Sequence, residues 1–462
     1  MMNAERAKKT ASLFITLILI CAIVVGCTDG LLNPEKPIRI VFWHTYGQQM
    51  EVNVNELVHE FNETVGKERG IIIEIGFVAD ASEIHEQLIA TANNERGARA
   101  FPDIAVIYPR VGVSLAEGGL LIDISTQFSS NELSHYVPEF LEEGKLGGET
   151  LYILPIAKST EVLYLNKTVF DRFATDTGVT ISQLSTMEGI VGVSEEYYEW
   201  SGGKAFFYPV DPFNTAMIGM KQLGEDLIDE EDLNLTAQAF ERIWEAYFQS
   251  AVKGGTAVFD NYGNYLMATG EALCVSGTSA SITFYPSNVT YSDNTQEDIE
   301  IALLPYPVFE NGGKVSLQRG GGICIFKSDS RREYAAGIFL KWLTDPEQNL
   351  RFTAHTGYMP VTNAAFEDFV NKEPENVIDI NISKLYTVIR EMQKDYTFYF
   401  PPVFDGLDDL QRNYNREILN AAESSRFKYL SLIEEHGEDE AYNAASQGVF
   451  EQFVARSADR NS

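Results

Sequence analysis

Residue types able to do chemistry are plentiful in this 462-residue chain, but none stands in the spacing that catalysis needs. It has no G-x-x-x-x-G-K-[ST] loop to cradle phosphates, no G-x-S-x-G nucleophile elbow and no H-E-x-x-H zinc pair. The six histidines occur singly, and only His44 stands at the end of a strand-like run. Gly320-Gly321-Gly322 leads into an apolar run and lacks the lysine of a phosphate loop. With 67 acidic side chains against 35 basic ones, carboxylate pairs arise everywhere, so no glycosidase acid and base can be singled out. Cys274 and Cys324 lie in apolar strand-like runs without zinc-site spacing and are expected as buried free thiols. These observations predict no catalytic residue, no cofactor and no metal.

What remains is polar and aromatic groups at segment ends, which suit binding by stacking and hydrogen bonds. Trp43, His44 and Tyr46 follow an apolar run at 38–42, and Tyr108 ends another at 103–108. Between them a strand at 71–78 is flanked by helices at 48–65 and 82–93, the first with Met50, Val54, Leu57, Val58 and Phe61 on one face. That alternation predicts parallel β-α-β units, whose ligands gather at the carboxyl ends of the strands. Residues 162–281 carry a second set of elements, including a helix at 236–252 whose Phe240, Ile243, Trp244 and Tyr247 form a core stripe. Strands at 299–305 and 320–326 follow, then helices at 334–343, from Asp345-Pro346, at 414–433 and at 441–456.

The N-terminus is read as an address. Arg6, Lys8 and Lys9 precede an uncharged stretch at 10–26, shorter than the ~20 residues of a comfortable membrane span. Val24-Val25-Gly26-Cys27 is similar to the lipobox of bacterial lipoproteins, which implies acylation of Cys27 and a tether at 27–37. Loss of residues 1–26 shifts the formal charge from −32 to −34, which excludes a nucleic-acid partner because its phosphates would be repelled.

Five stretches make the binding reading specific: Phe42-Trp43-His44, Phe101-Pro102-Asp103-Ile104, the run at 158–167, Arg319-Gly320-Gly321-Gly322 and Thr356-Gly357-Tyr358-Met359-Pro360. With Thr269-Gly270-Glu271-Ala272-Leu273 and the run at 339–347, they resemble the family 1 extracellular solute-binding proteins of ABC importers, most of all the glycerol-3-phosphate and sugar-binding members. The resemblance implies a two-lobed α/β fold of type II, each lobe a mainly parallel sheet, with a hinge crossed near Lys158, Ser281 and Tyr334. Lobe 1 is then expected at 38–158 plus 285–333 and lobe 2 at 159–284 plus 334–462. It further implies a monomer on the outer face of the cytoplasmic membrane that hands a small molecule to permease subunits.

The ligand residues expected are Trp43, His44, Tyr108, Ser159, Thr160, Glu161, Ser276, Gly277, Gly320, Gly321 and Tyr358. The glycerol-3-phosphate pattern fails at Pro109-Arg110, near 208–213 and near Val403-Phe404, so a neutral saccharide is the favoured ligand. Lys158, Arg110 and Arg319 speak for a phosphate unless carboxylates neutralise them. A secreted glycan hydrolase and a sensor or adhesion lipoprotein are the competing classes.

Overall fold

The computed structural model describes residues 30–47, 49–79, 81–354, 356–371, 379–404 and 406–457. Cys27 and the signal segment lie outside them, as does Gln48. Two sheets are built from β1 (Ile38–His44), β2 (Ile71–Val78), β3 (Ile104–Ile107), β4 (Leu154–Pro155), β5 (Ser159–Asn166), β6 (Ala205–Pro209), β7 (Ala272–Thr278), β8 (Ile301–Pro305), β9 (Val315–Arg319), β10 (Gly322–Ile325) and β11 (Thr397–Tyr399).

The first sheet has the order β2-β1-β3-β10-β4. Its β1, β2 and β3 are parallel, as β-α-β connections require, and helices α1 (Gln49–Glu63) and α2 (Ala81–Ala92) make the crossings. The helix expected to run to residue 65 stops at Glu63; a short turn at Val65–Arg69 follows and Gly70 closes it at φ 74°. Both faces of this sheet are apolar. Ile38, Ile40 and Phe42 meet Val54, Leu57 and Phe61 of α1, while Trp43, Ala105, Ile107 and Cys324 meet Ile84 and Leu88 of α2 with Val111 and Leu115 of α3 (Pro109–Glu117).

The second sheet has the order β11-β9-β5-β7-β6, with β8 also on β5. All of β5 is buried, because β7 covers one edge while β9 and β8 share the other, β9 at Ser159 and Thr160 and β8 from Val162 to Asn166. These pairings are antiparallel, and only β6 with β7 and β9 with β11 run parallel. The two-lobed α/β architecture is therefore present; the first sheet is mainly parallel, with β10 alone reversed, while the second is mainly antiparallel because of the ladder around β5.

The lobe limits shift as well. β8 and β9, expected in lobe 1, hydrogen-bond to β5, so the chain stays on the second sheet from Ser159 to Arg319 and makes no crossing near Ser281. The helix expected to open lobe 2 at 334 begins at Ser330 as α4 (Ser330–Leu343), and its Phe339 packs 5.9 Å from Phe42 of β1. The observed crossings are therefore β4 to β5 and β9 to β10, followed by a return after α5 (Asn363–Asn371), because α6 (Ile380–Asp395) packs on β8. Farther on, α7 (Leu407–His436) extends the predicted 414–433 helix at both ends, and the one predicted at 441–456 divides at Gly448, φ 71°. Cys274 and Cys324 are buried free thiols, each pushed up by burial.

Candidate ligand-binding site

The crossings bring the carboxyl ends of β1 and β3 opposite the ends of β5, β6, β7 and β9. On the first lobe, His44 ends β1 fully buried between Phe42 and Tyr46, and burial lowers its imidazole to about 4. Its Nδ1 accepts the Tyr46 amide at 3.3 Å, and its Nε2 has no hydrogen-bond partner among the described residues. Tyr46 stands edge-on to Tyr358, ring centres 6.5 Å apart. Burial raises both phenols, and the proximity of Tyr108 raises each further. Tyr108 precedes Pro109 at the first turn of α3, and the Arg110 guanidinium lies 5.5 Å over its ring.

On the second lobe, Glu161 of β5 takes a hydrogen bond from Arg319 of β9. Burial pushes the Glu161 carboxyl up and Arg319 pulls it back, while Glu161 and Asp211 together outweigh the burial of Arg319 and hold its proton more firmly. Asp211 caps the helix Pro212–Gln222 through the amides of Phe213 and Asn214 and also accepts from Gln411 and Asn415 of α7. Near Glu161, Tyr285 stacks on Tyr164 at 3.7 Å. Across the cleft, Arg110 Nε of the first lobe lies 3.0 Å from Asp408 Oδ2 in the first turn of α7.

Tyr108, Glu161 and Tyr358 thus come together with Arg319 at the junction, beside Ser159, which pairs with Arg319 along the strands. Ser276 and Gly277 lie at the end of β7, where a Cβ on Gly277 would sit 3.6 Å from the Tyr285 hydroxyl. Trp43 does not line the cleft: alternation along β1 turns it to the opposite face from Phe42 and His44, into the cluster with Phe77 and Ile84. Ser159 and Thr160 are buried, with Ser159 Oγ accepting from Thr278 and Thr160 Oγ1 donating to Ser316. Gly320 and Gly321 face neighbouring backbone: a Cβ would sit 2.8 Å from the Ala157 carbonyl and 2.6 Å from that of Ile107. Their role is the close passage of two crossing strands, and Gly320 at φ 105° also needs glycine for its conformation.

Of three further residues here, Tyr46, Asp211 and Tyr285, the sequence pointed only to Tyr46, as a strand-end aromatic and not as a ligand residue. The Asp211-Pro212 pair, an N-cap followed by proline at the first helical position, was the signal available for the second.

The two-lobed arrangement with a cleft at facing strand ends defines a class of binding protein. A model of the bacterial extracellular solute-binding proteins matches residues 56–377, and the chain belongs to that family. Among curated relatives, the sn-glycerol-3-phosphate-binding periplasmic protein UgpB of Yersinia enterocolitica is 23% identical over 379 residues, covering 74% of this chain and 79% of the relative. The cyclic α-maltosyl-1,6-maltose binding protein of Arthrobacter globiformis is similar in structure, with TM-score 0.67, 15% identity and coverage of 90% of this chain and all 100% of the other. UgpB of Mycobacterium tuberculosis in complex with glycerophosphocholine has TM-score 0.64 and 18% identity, covering 91% of this chain and 99% of that one. The protein is an exported solute-binding component of an ABC importer that captures a small molecule for its permease.

Proposed function

We propose that the captured solute is a neutral, hydroxyl-rich molecule, a mono- or oligosaccharide, bound without being transformed. The observation that carries this reading is charge matching. Each cation of the cleft segments is met by a carboxylate: Lys158 by Glu143 at 2.8 Å, Arg319 by Glu161, and Arg110 by Asp408. A phosphate dianion desolvated between the lobes without a free counter-charge costs several kcal/mol. Tyrosine rings beside carboxylate and hydroxyl acceptors suit sugars instead, since sugar C–H faces pack on aromatic planes and sugar hydroxyls donate to carboxylates.

Relatives point both ways, the two UgpB proteins toward glycerophosphate compounds and the cyclic α-maltosyl-1,6-maltose binding protein toward a saccharide. Calorimetric titration with a neutral sugar panel, glycerol-3-phosphate and glycerophosphocholine at two salt concentrations tests the choice. Binding of a sugar that is insensitive to salt is expected; tight, salt-weakened binding of a phosphate compound with no sugar bound overturns it. We take the protein to be a monomer held at the membrane by acyl chains on Cys27. Fatty-acid labelling lost in Cys27→Ser supports the anchor, and equal labelling refutes it.

A further inference from the structure

We propose that the ligand site continues out of the cleft onto an aromatic platform on the rim of the second lobe, so that the preferred solute is an oligosaccharide of several units; this rests on the saccharide reading above. The platform consists of Phe259, Tyr262, Tyr265 and Phe284, exposed by 38%, 71%, 55% and 48%. Among the described residues the only other exposed aromatic side chain is Phe427, so these rings are concentrated in one place. Burying rings of this size is favourable, and a loop that leaves four in solvent forgoes that gain unless they meet something outside the protein.

The platform is tied to the cleft at two points. The Tyr208 hydroxyl, at the end of β6, lies 3.0 Å from the Phe259 carbonyl and 2.7 Å from that of Asn261, fixing the loop beside the strand that runs on to Asp211. Asn264 donates at 3.1 Å to the carbonyl of Phe284, the last residue of the turn Ser279–Phe284 that follows β7. The same turn leads into Tyr285, which stacks on Tyr164 beneath the cleft floor. Tyr262 and Tyr265 stand with ring centres 6.3 Å apart, spaced to offer successive faces. Asp260 and Asn261 lie between Phe259 and Tyr262 in the sequence and are exposed, so polar groups stand beside the apolar faces, the combination a sugar chain requires.

The test is calorimetry of the intact mature chain, and of Tyr262→Ala, Tyr265→Ala and Phe284→Ala, against neutral glucans, mannans and galactans of one to six units. Expected is wild-type affinity that rises with length, and a loss of about 3- to 10-fold per variant for the longer members, with the shortest bound member unaffected. Binding of saccharides that is independent of length, or unchanged in all three variants, overturns the platform and leaves the saccharide reading standing. Binding of no saccharide at any length overturns both.

Discussion

The Lys158–Glu143 pair supplies the sharpest test of the hinge. Lys158 is 3% exposed and Glu143 7%. The ammonium also donates to the Gly320 carbonyl at 3.1 Å, and the same Glu143 oxygen accepts from Gln318. One ion pair thus joins the first crossing, at residue 158, to the second, at 318–320. Glu143→Leu removes the counter-charge and leaves Lys158 one carbonyl in a dry site. Two unit charges about 4 Å apart at an effective dielectric of ~20 interact by about 4 kcal/mol. Breaking a buried pair from one side typically costs ~3 to 5 kcal/mol, so the two estimates agree. Out of a total stability of ~5 to 15 kcal/mol this is a large loss. Lys158→Met combined with Glu143→Leu removes both desolvated ions and should recover all but ~1 to 2 kcal/mol, the remainder being the acceptor lost to Gln318. Urea unfolding followed by circular dichroism measures all three. A single variant within about 1 kcal/mol of wild type, or a double variant as unstable as the single, refutes the argument.

Three further outcomes follow from the site. Trp43→Ala should destabilise by ~3 to 5 kcal/mol while leaving ligand affinity unchanged, because the indole fills core; urea unfolding and calorimetry separate the two, and weakened binding in a stable variant contradicts its placement. His44 falls from 6.5 to about 4 on folding, so the unfolded chain takes up the proton first. Stability from this group is present above pH ~6.5 and is lost, by ~2 to 3 kcal/mol, as pH falls toward 4; His44→Phe should flatten that limb of the unfolding profile. Asp408→Asn removes the contact between Arg110 and α7, a half-exposed pair of ~0.5 to 1 kcal/mol, and should enlarge the scattering radius of the ligand-free chain at low salt but not at 1 M. Equal radii at low salt count against a latch.

The sequence made β1, β2 and β3 legible because their apolar runs are separated by helices of matching period, whereas β5 stood out only as part of the motif stretch at 158–167. It did not show where β8 and β9 belong. Ile301–Pro305 is a short apolar run, and the strand it pairs with lies more than a hundred residues earlier, a partnership that no local pattern encodes. Trp43 was misplaced for a related reason. Alternation along β1 puts it opposite Phe42 and His44, but both faces of that sheet are apolar, so period alone does not tell which face meets the cleft. The neutralisation of Lys158 and Arg319 was visible as an alternative from the acidic composition; the identity of the carboxylates needed the fold. Gly320 and Gly321 were expected to meet the ligand, and only the structure shows that what approaches them is the chain's own backbone.

The place of β10 between β3 and β4 bears on how the protein is made. Cys324 of β10 donates to the Ala105 carbonyl of β3, 219 residues earlier. An exported chain emerges from its N-terminus, so β3 and β4 leave the membrane with an open slot between them, while everything from Ser159 to Arg319 must follow before the filling strand arrives. The second lobe is contiguous over that span and is free to fold as a unit. The first lobe waits with unpaired edges, the condition that invites strand addition from a neighbour. Assembly is then expected to run outward from the insert to its host, and the event that closes the first sheet is the same close backbone passage, at Gly320 to Gly322, that joins the two lobes.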